Sequence, residues 1–386
     1  MVSKTANKKI IALSTEIGRG HPNYLDSVLK ALKTLSFNQE VLSYNIFEVS
    51  ALSGLARLGW SWVKKIYFGG GYGGVATKLY NFFRKKTAQA SPIFLNLLGS
   101  GLDNFLKGLT GIILVEHPLL ARVLTNLGFS VFYIHGEIAA PKECAITDNA
   151  LTFVPIEQTK EQLVRLGVKP ESVIVTGLLI EPDLVKDAEE NFTLRIARLD
   201  SLQPLTVAFF ISQAYPKPHI KKVIAAVESV IKNDMKAIVF TGTLPNYAVH
   251  LKNQLKMIKS KNIMIVQSKS RQEENQKTAR LANSIDIMVA TAHERTNWAV
   301  GLGLPIFVLF PLIGTYAQMN YNFARNLGVA EPILTIQDAR NLGAKIIEMQ
   351  KNNLLAQMAR KGFSYYPLTG ASKIADYLIS SLESIT

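Results

Sequence analysis

The chain has 386 residues, 48% apolar and 19% charged, which suits about two globular domains with substantial cores. Its single cysteine, Cys144, excludes a disulfide framework and a cysteine-built zinc site, and suits a reducing compartment. The net charge of +14 favours an anionic partner: nucleic acid, anionic lipid or a phosphorylated substrate.

Lys9-Ile10-Ile11-Ala12-Leu13 reads as a buried strand. Tyr24 to Leu32 places Leu25, Val28, Leu29 and Leu32 on one helical face. Between them lies the loop Ser14-Thr15-Glu16-Ile17-Gly18-Arg19-Gly20-His21-Pro22. It falls at the carboxyl end of the first strand, where open α/β sheets bind ligands. The dinucleotide fingerprint G-x-G-x-x-G fails at Asn23, and no Walker pattern is present. The first N-terminal residues form no signal peptide, and no window reaches the roughly 18 apolar residues of a membrane span. The expected location is the cytoplasm, peripheral on the inner face of a membrane.

Glu40 to Tyr44 is the second expected strand. The segment 50–110 then carries eight basic residues against one acid, Asp103, or half the net charge of the chain. Leu52, Leu55, Leu58, Trp62, Val63 and Ile66 recur at helical spacing, with Arg57, Ser61, Lys64 and Lys65 opposite. A glycine break at 69–74 precedes a second amphipathic piece, 75–86, with Leu79, Phe82 and Phe83 backed by Lys78, Arg84 and Lys85. A third helix is expected over 92–109. Apolar-aromatic faces bearing Trp60, Trp62, Phe82 and Phe83 beside Lys64, Lys65, Arg84 and Lys85 describe an interfacial helical surface, here for an anionic membrane and a lipid acceptor. Packing of the same faces on the domain's own sheet is the competing reading.

Alternation resumes with strands at 111–115, 130–134, 151–155 and 171–177, and helices at 119–127 and 157–166. Residues 181–204 read as a linker with a short helix. A second series follows, with strands at 205–211, 236–240, 262–267, 285–290 and 305–310 and helices between them. Everything from 336 onward reads as helical. The pattern predicts an α/β chain of two Rossmann-like open sheets: an N-terminal domain over 1–180, a C-terminal domain over 205–370, and a closing helix, 371–386, expected to pack back on the first. Two such domains are expected to face one another across a cleft.

The run Ser14-Thr15-Glu16-Ile17-Gly18-Arg19-Gly20-His21 ahead of a helix resembles the Gly-Gly-Gly-His loop of the monogalactosyldiacylglycerol synthases and processive diacylglycerol glucosyltransferases. These are relatives of the peptidoglycan-precursor N-acetylglucosaminyltransferase. The stretch 152–185 is similar to the same family's "fVps…k…l…Gv…i.vtG.pi.p.f" segment. Glu116-His117-Pro118 resembles its "tHp" turn. The resemblance implies a GT-B fold, His21 as general base, Gly20 near the donor, and His117 on the acceptor side. It also implies that the basic segment contacts membrane and lipid.

In the second half the resemblance suggests a nucleotide-sugar site with altered motifs. Ser212 and Gln213 remain of a glycine-rich loop, and Lys217 with a helix start is placed to hold a diphosphate. Thr241 and Gly242 match the small, polar strand end lining the donor base. His293, Glu294, Arg295 and Thr296 form a polar cluster at a strand end, with Arg295 suited to a bidentate phosphate contact. Trp298 stands where the family carries a ribose-binding glutamate, while Gly303-Leu304-Pro305 fits. Gln318 and Asn320 resemble a later donor motif.

No metal site and no nucleophile elbow are read. Inverting transfer needs one base and fixed donors for the departing diphosphate; Glu16 is the local carboxylate for His21. The resulting expectation is an inverting glycosyltransferase moving a sugar from a nucleotide-sugar co-substrate to a lipid-linked or membrane acceptor, with no cofactor and no nucleic acid. Two other readings fit the fold: a non-catalytic sugar-nucleotide or lipid-binding relative, and a sugar-nucleotide epimerase.

Overall fold

The computed structural model of the protein describes residues 9–18, 20–35, 37, 40–70, 75, 77–78, 82 and 90–384. Two compact units are present: Met1–Gly69, Leu79–Leu179 and Thr369–Thr386 form the first, and Gly70–Lys78 with Ile180–Leu368 the second.

The first unit is a six-stranded parallel sheet, β1 (Lys9–Ser14), β2 (Val41–Asn45), β3 (Gly111–Val115), β4 (Val131–Ile134), β5 (Ala150–Val154) and β6 (Val173–Val175), in the order 2-1-3-4-5-6. β1 lies between β2 and β3, with Ile10 opposite Val41 and Ile112. Its apolar run is continuous because both faces are covered. Ile11 and Leu13 join a core with Ile113, Val115, Trp60, Leu98 and Leu120. Ile10 and Ala12 face the other way, into a core with Tyr24, Val28, Ile374 and Leu378. The strand's two-residue period thus divides one hydrophobic segment between two helical layers.

Those layers are α1 (Gly20–Thr34), α2 (Gly54–Gly70), α3 (Pro92–Gly99), α4 (Leu102–Lys107), α5 (Pro118–Asn126) and α6 (Glu157–Arg165). The single helix expected over 92–109 is two. Gly101 takes φ +93°, and a Cβ there would lie 1.9 Å from the Ala51 carbonyl oxygen, so the chain turns between α3 and α4.

The stretch 181–204, expected as a linker, is α7 (Pro182–Lys186) and α8 (Ala188–Asp200) of the second unit. The reason lies in Arg195, which is buried and donates to the carbonyls of Ile285 (3.0 Å) and Leu302 (2.7 Å). It also lies in Arg198, whose Nε meets Asp286 at 2.6 Å.

The second sheet, β7 (Thr206–Phe210), β8 (Lys236–Phe240), β9 (Ile263–Val266), β10 (Ile287–Ala290), β11 (Ile306–Leu309) and β12 (Ala330–Ile333), is parallel in the order 12-11-10-7-8-9. β12 lay outside the sequence reading; it contains Pro332 and is an edge strand, where a missing N–H is tolerated. The helices here are α9 (Lys217–Lys232), α10 (Pro245–Lys256), α11 (Arg271–Leu281), α12 (Arg295–Gly301), α13 (Thr315–Leu327), α14 (Ile336–Arg340), α15 (Leu342–Lys351) and α16 (Leu354–Gly362). The last helix, α17 (Gly370–Ser384), belongs to the first unit, where Ile374, Ala375 and Leu378 share a core with α1 and Tyr377 meets the Phe153 ring at 5.4 Å. Among the described residues, no helix is long and apolar enough to cross a membrane.

Candidate functional site

The loop after β1 is held from the neighbouring strand. Glu116, directly after β3, is fully buried. Its Oε1 accepts from the Ser14 hydroxyl (3.1 Å), the Thr15 amide (3.0 Å) and the Thr15 hydroxyl (3.4 Å). Its Oε2 is buried with no hydrogen-bond partner among the described residues. Burial pushes this carboxyl up to about 7, against the pull of the Thr15 amide and the Ser14 hydroxyl.

Among the described residues of the loop, two have positive φ, Glu16 at 48° and Gly18 at 75°. For Glu16 that conformation is unfavourable, and the Ser14 hydroxyl accepting its amide at 3.2 Å offsets part of the cost. The turn delivers Gly20 and His21 to the start of α1. The His21 ring meets His117 edge-on, centroids 5.4 Å apart, and the Trp60 indole lies 6.4 Å from His117 on the same terms. His117 is the residue before α5, and Pro118 opens that helix. One strand end therefore supplies both the carboxylate that anchors the loop and the second imidazole.

Sequence reasoning named His21 and His117 together with Glu16, and missed Glu116. Glu16, expected as the carboxylate for His21, accepts from the Ser14 hydroxyl at 3.4 Å. The available signal for Glu116 was an acid directly ending the apolar run Ile112–Val115, which a parallel sheet sets beside the end of β1. Around the same strand ends, Glu137 and Glu143 are also buried. His135 contacts the Tyr133 hydroxyl and the Ala139 carbonyl through its two ring nitrogens, and burial lowers it to about 4, so it is neutral at pH 7. Among the described residues there is no cluster of three or more His, Cys, Asp or Glu fit for a metal ion.

The second unit's strand ends are built differently. After β7, Ser212 accepts the Ala214 amide (3.4 Å), and the Gln213 Oε1 is buried without a hydrogen-bond partner among the described residues. Tyr215 is buried there; its hydroxyl donates to the Thr241 carbonyl and its ring stacks on Tyr247 at 4.8 Å. Lys217 is exposed and opens α9. Thr241 is buried, and Gly242 takes φ +75° with a would-be Cβ 3.0 Å from the Tyr215 hydroxyl oxygen.

The Arg295 guanidinium is buried over the Trp298 ring (3.7 Å) and the Phe210 ring (4.4 Å), with Glu274 at 4.0 Å. The Trp298 indole donates to Glu181 at 3.2 Å. A planar cation is well accommodated between such aromatic faces. Thr296 and Asn320 are also fully buried, and Asn320 donates to the Ala292 carbonyl (3.2 Å). His293 and Glu294 are half-buried ahead of α12, and Gln318 is exposed beside Asn322 (2.9 Å).

The basic segment divides between core and surface. Trp60, expected on a membrane face, is fully buried and donates to the Leu98 carbonyl at 3.0 Å. On α2 the apolar residues occupy two sides, since Ala56 and Trp60 face the sheet while Leu55, Leu58 and Trp62 are 66%, 56% and 58% exposed. Lys64 lies over the Phe47 ring (4.9 Å) and Lys65 over Trp62 (5.7 Å). Phe82 is exposed. Phe83, Arg84 and Lys85 lie outside the described residues.

No protein-family model matches this chain. No curated protein sequence matches it either. Solved structures do resemble it in fold. A UDP-GlcNAc 2-epimerase from Neisseria meningitidis bound to UDP-GlcNAc aligns over 97% of this chain and 100% of its own, at 13% identity and TM-score 0.60. A putative UDP-N-acetylglucosamine 2-epimerase from Listeria monocytogenes covers 99% and 98% at 14% identity and TM-score 0.61. A glycosyltransferase involved in lipopolysaccharide biosynthesis covers 96% and 99% at 9% identity and TM-score 0.51. The fold is a two-domain α/β fold of GT-B type.

Proposed function

We propose that the chain is an enzyme acting on a UDP-activated sugar, and that it transfers the sugar to a lipid-linked acceptor with inversion. The observation that carries this reading is the convergence of His21, His117 and Glu116 on a glycine loop at the carboxyl end of the first sheet. His21 takes the proton of an acceptor hydroxyl as its oxygen attacks the anomeric carbon, and the bond to the diphosphate breaks with its electron pair leaving on UDP. Glu116 holds the loop that presents His21. Gln213, Lys217 and the start of α9 are the candidates for receiving the diphosphate. The loop's resemblance to diacylglycerol glycosyltransferases supports a lipid acceptor. So does the exposed apolar stripe of α2 beside Lys64 and Lys65, which suits an anionic bilayer surface.

A second reading, epimerisation of a UDP-sugar, is favoured by the epimerases among the full-length structural relatives and by the proton-bearing carboxyl of Glu116. One assay separates the two. The protein is incubated with a panel of UDP-, GDP- and dTDP-sugars, with and without diacylglycerol vesicles. Binding of a UDP-sugar should raise the melting temperature, by the equivalent of about 2.7 kcal/mol at a hundredfold excess over Kd. UDP release that requires vesicles marks a transferase, and an isomerised sugar formed without acceptor marks an epimerase. Silence across the panel favours a non-catalytic relative. His21→Ala should abolish turnover while leaving the melting temperature of the free protein near its original value.

A further inference from the structure

The two sides of α2 touch two different things. Leu55, Leu58 and Trp62 point outward and recur at i, i+3 and i+7. On the inner side, Tyr67 lies on the loop after β1; a Cβ added to Gly18 would sit 2.5 Å from its hydroxyl oxygen and 2.8 Å from its ring. Two helical turns earlier the Trp60 indole faces His117, with its Nε1 held by the Leu98 carbonyl. α3 belongs to the same surface, since a Cβ on Gly59 would lie 2.7 Å from Leu98 Cδ2. It adds Ile93, 82% exposed, and Leu97, 40% exposed, to the outward apolar face.

We infer that α2 couples the outer surface of the first unit to its catalytic loop: docking of an anionic bilayer on Leu55, Leu58, Trp62 and Ile93 sets the position of Tyr67 on Gly18 and of Trp60 on His117. The inference rests on the proposed membrane acceptor and extends it to regulation of the same site. A helix moves as a rod, and close-packed contacts on its inner side cannot absorb a shift without passing it on. Gly18 has no side chain to cushion Tyr67. α2 also ends in Gly69-Gly70, which leaves its last turn the least restrained part of the rod. The occupant of the outer face is assigned by charge: Lys64 and Lys65 flank the apolar stripe, and residues 50–110 carry seven net positive charges. By linkage, a ligand bound at His21 must tighten vesicle binding as much as vesicles tighten the ligand.

The protein's six histidines provide the readout. The whole chain, labelled with carbon-13 at the histidine rings, is mixed with vesicles of phosphatidylglycerol and phosphatidylcholine in equal parts. The His21 and His117 signals should move, while those of His219, His250 and His293 in the second unit should stay. Replacing Leu58 and Trp62 by Ser should abolish sedimentation with vesicles and leave the vesicle-free histidine spectrum intact. Tyr67→Ala should sediment with vesicles yet lose the His21 response; Tyr67→Phe, which keeps the ring, should retain part of it and guards against a folding defect in the first variant. Sedimentation without any histidine shift in the unmodified protein overturns the coupling and leaves the proposed acceptor standing. Failure to sediment, or self-association through the stripe with no vesicle binding, overturns both the coupling and the membrane acceptor. Donor binding, measured separately, stays independent of these outcomes.

Discussion

Gly18 and Gly242 invite comparison. Each follows a parallel strand, each takes φ +75°, and each is met by a tyrosine hydroxyl, Tyr67 at 2.5 Å from a would-be Cβ and Tyr215 at 3.0 Å. Around this shared geometry the chemistry differs. Beside Gly18 stand two imidazoles and a buried carboxyl that burial raises to about 7. Beside Gly242 and along the second sheet stand Tyr215, Tyr247, Phe210 and Trp298, with the Arg295 guanidinium over the last two rings. The lesson is that one backbone device serves two settings: in the first unit it stands beside imidazoles and a buried carboxyl, and in the second beside an aromatic wall.

The contrast can be broken at its second half. Trp298 is 2% exposed, lies over Arg295 and donates to Glu181. Trp298→Ala should cost about 3–5 kcal/mol in a urea melt, the range for a core aromatic. A loss below about 1 kcal/mol would mean that Trp298 belongs to an open pocket and that the second unit's strand ends are less closed than described.

The first half is sharpened by pH. Glu116 has a folded value of about 7 against an ordinary 4.5, so between these values the native state holds a proton that the unfolded chain has released. Stability must therefore fall as pH rises through that window and flatten above it, by on the order of 3 kcal/mol at most. Glu116→Gln keeps an oxygen for Ser14 and Thr15 and removes the ionisation. Melts of the two proteins from pH 4 to 8 should diverge, with the variant gaining on the parent as pH rises. Parallel curves would place the titration elsewhere.

The smallest effect tests the shared device itself. Alanine at Gly18 or at Gly242 puts a left-handed backbone on a residue with a Cβ, about 1–2 kcal/mol in either unit. Gly18→Ala should cost more, because its Cβ would overlap Tyr67 where that of Gly242→Ala is only tight against Tyr215. Equal losses in the two melts would remove the claim that Tyr67 bears directly on the loop.

Much of the fold was legible in the chain. Of the twelve strands among the described residues, eleven lie in apolar runs that mark them, and β12 escaped because Glu331 and Pro332 interrupt its pattern. His21 and His117 were singled out through short motifs, and the fold brings their rings to 5.4 Å. Glu116 was not, since its partners Ser14 and Thr15 lie about a hundred residues away. Trp60 and Trp62 were indistinguishable as members of an amphipathic helix, because α2 carries apolar residues on both sides and only the sheet beneath shows which side is covered.

By itself, then, the sequence determined what depends on local order: strand and helix periods, the glycine turn after β1, the parallel α/β character, and the concentration of positive charge in residues 50–110. Tertiary structure decided what depends on burial. It raised the Glu116 carboxyl to about 7, set the Arg295 guanidinium over the Trp298 ring, and assigned Trp60 to the core and Trp62 to the surface. Period and propensity are properties of neighbours along the chain. The free energy of a charge or an indole is set by the groups that exclude water around it, and those groups arrive from distant segments only when the sheet closes.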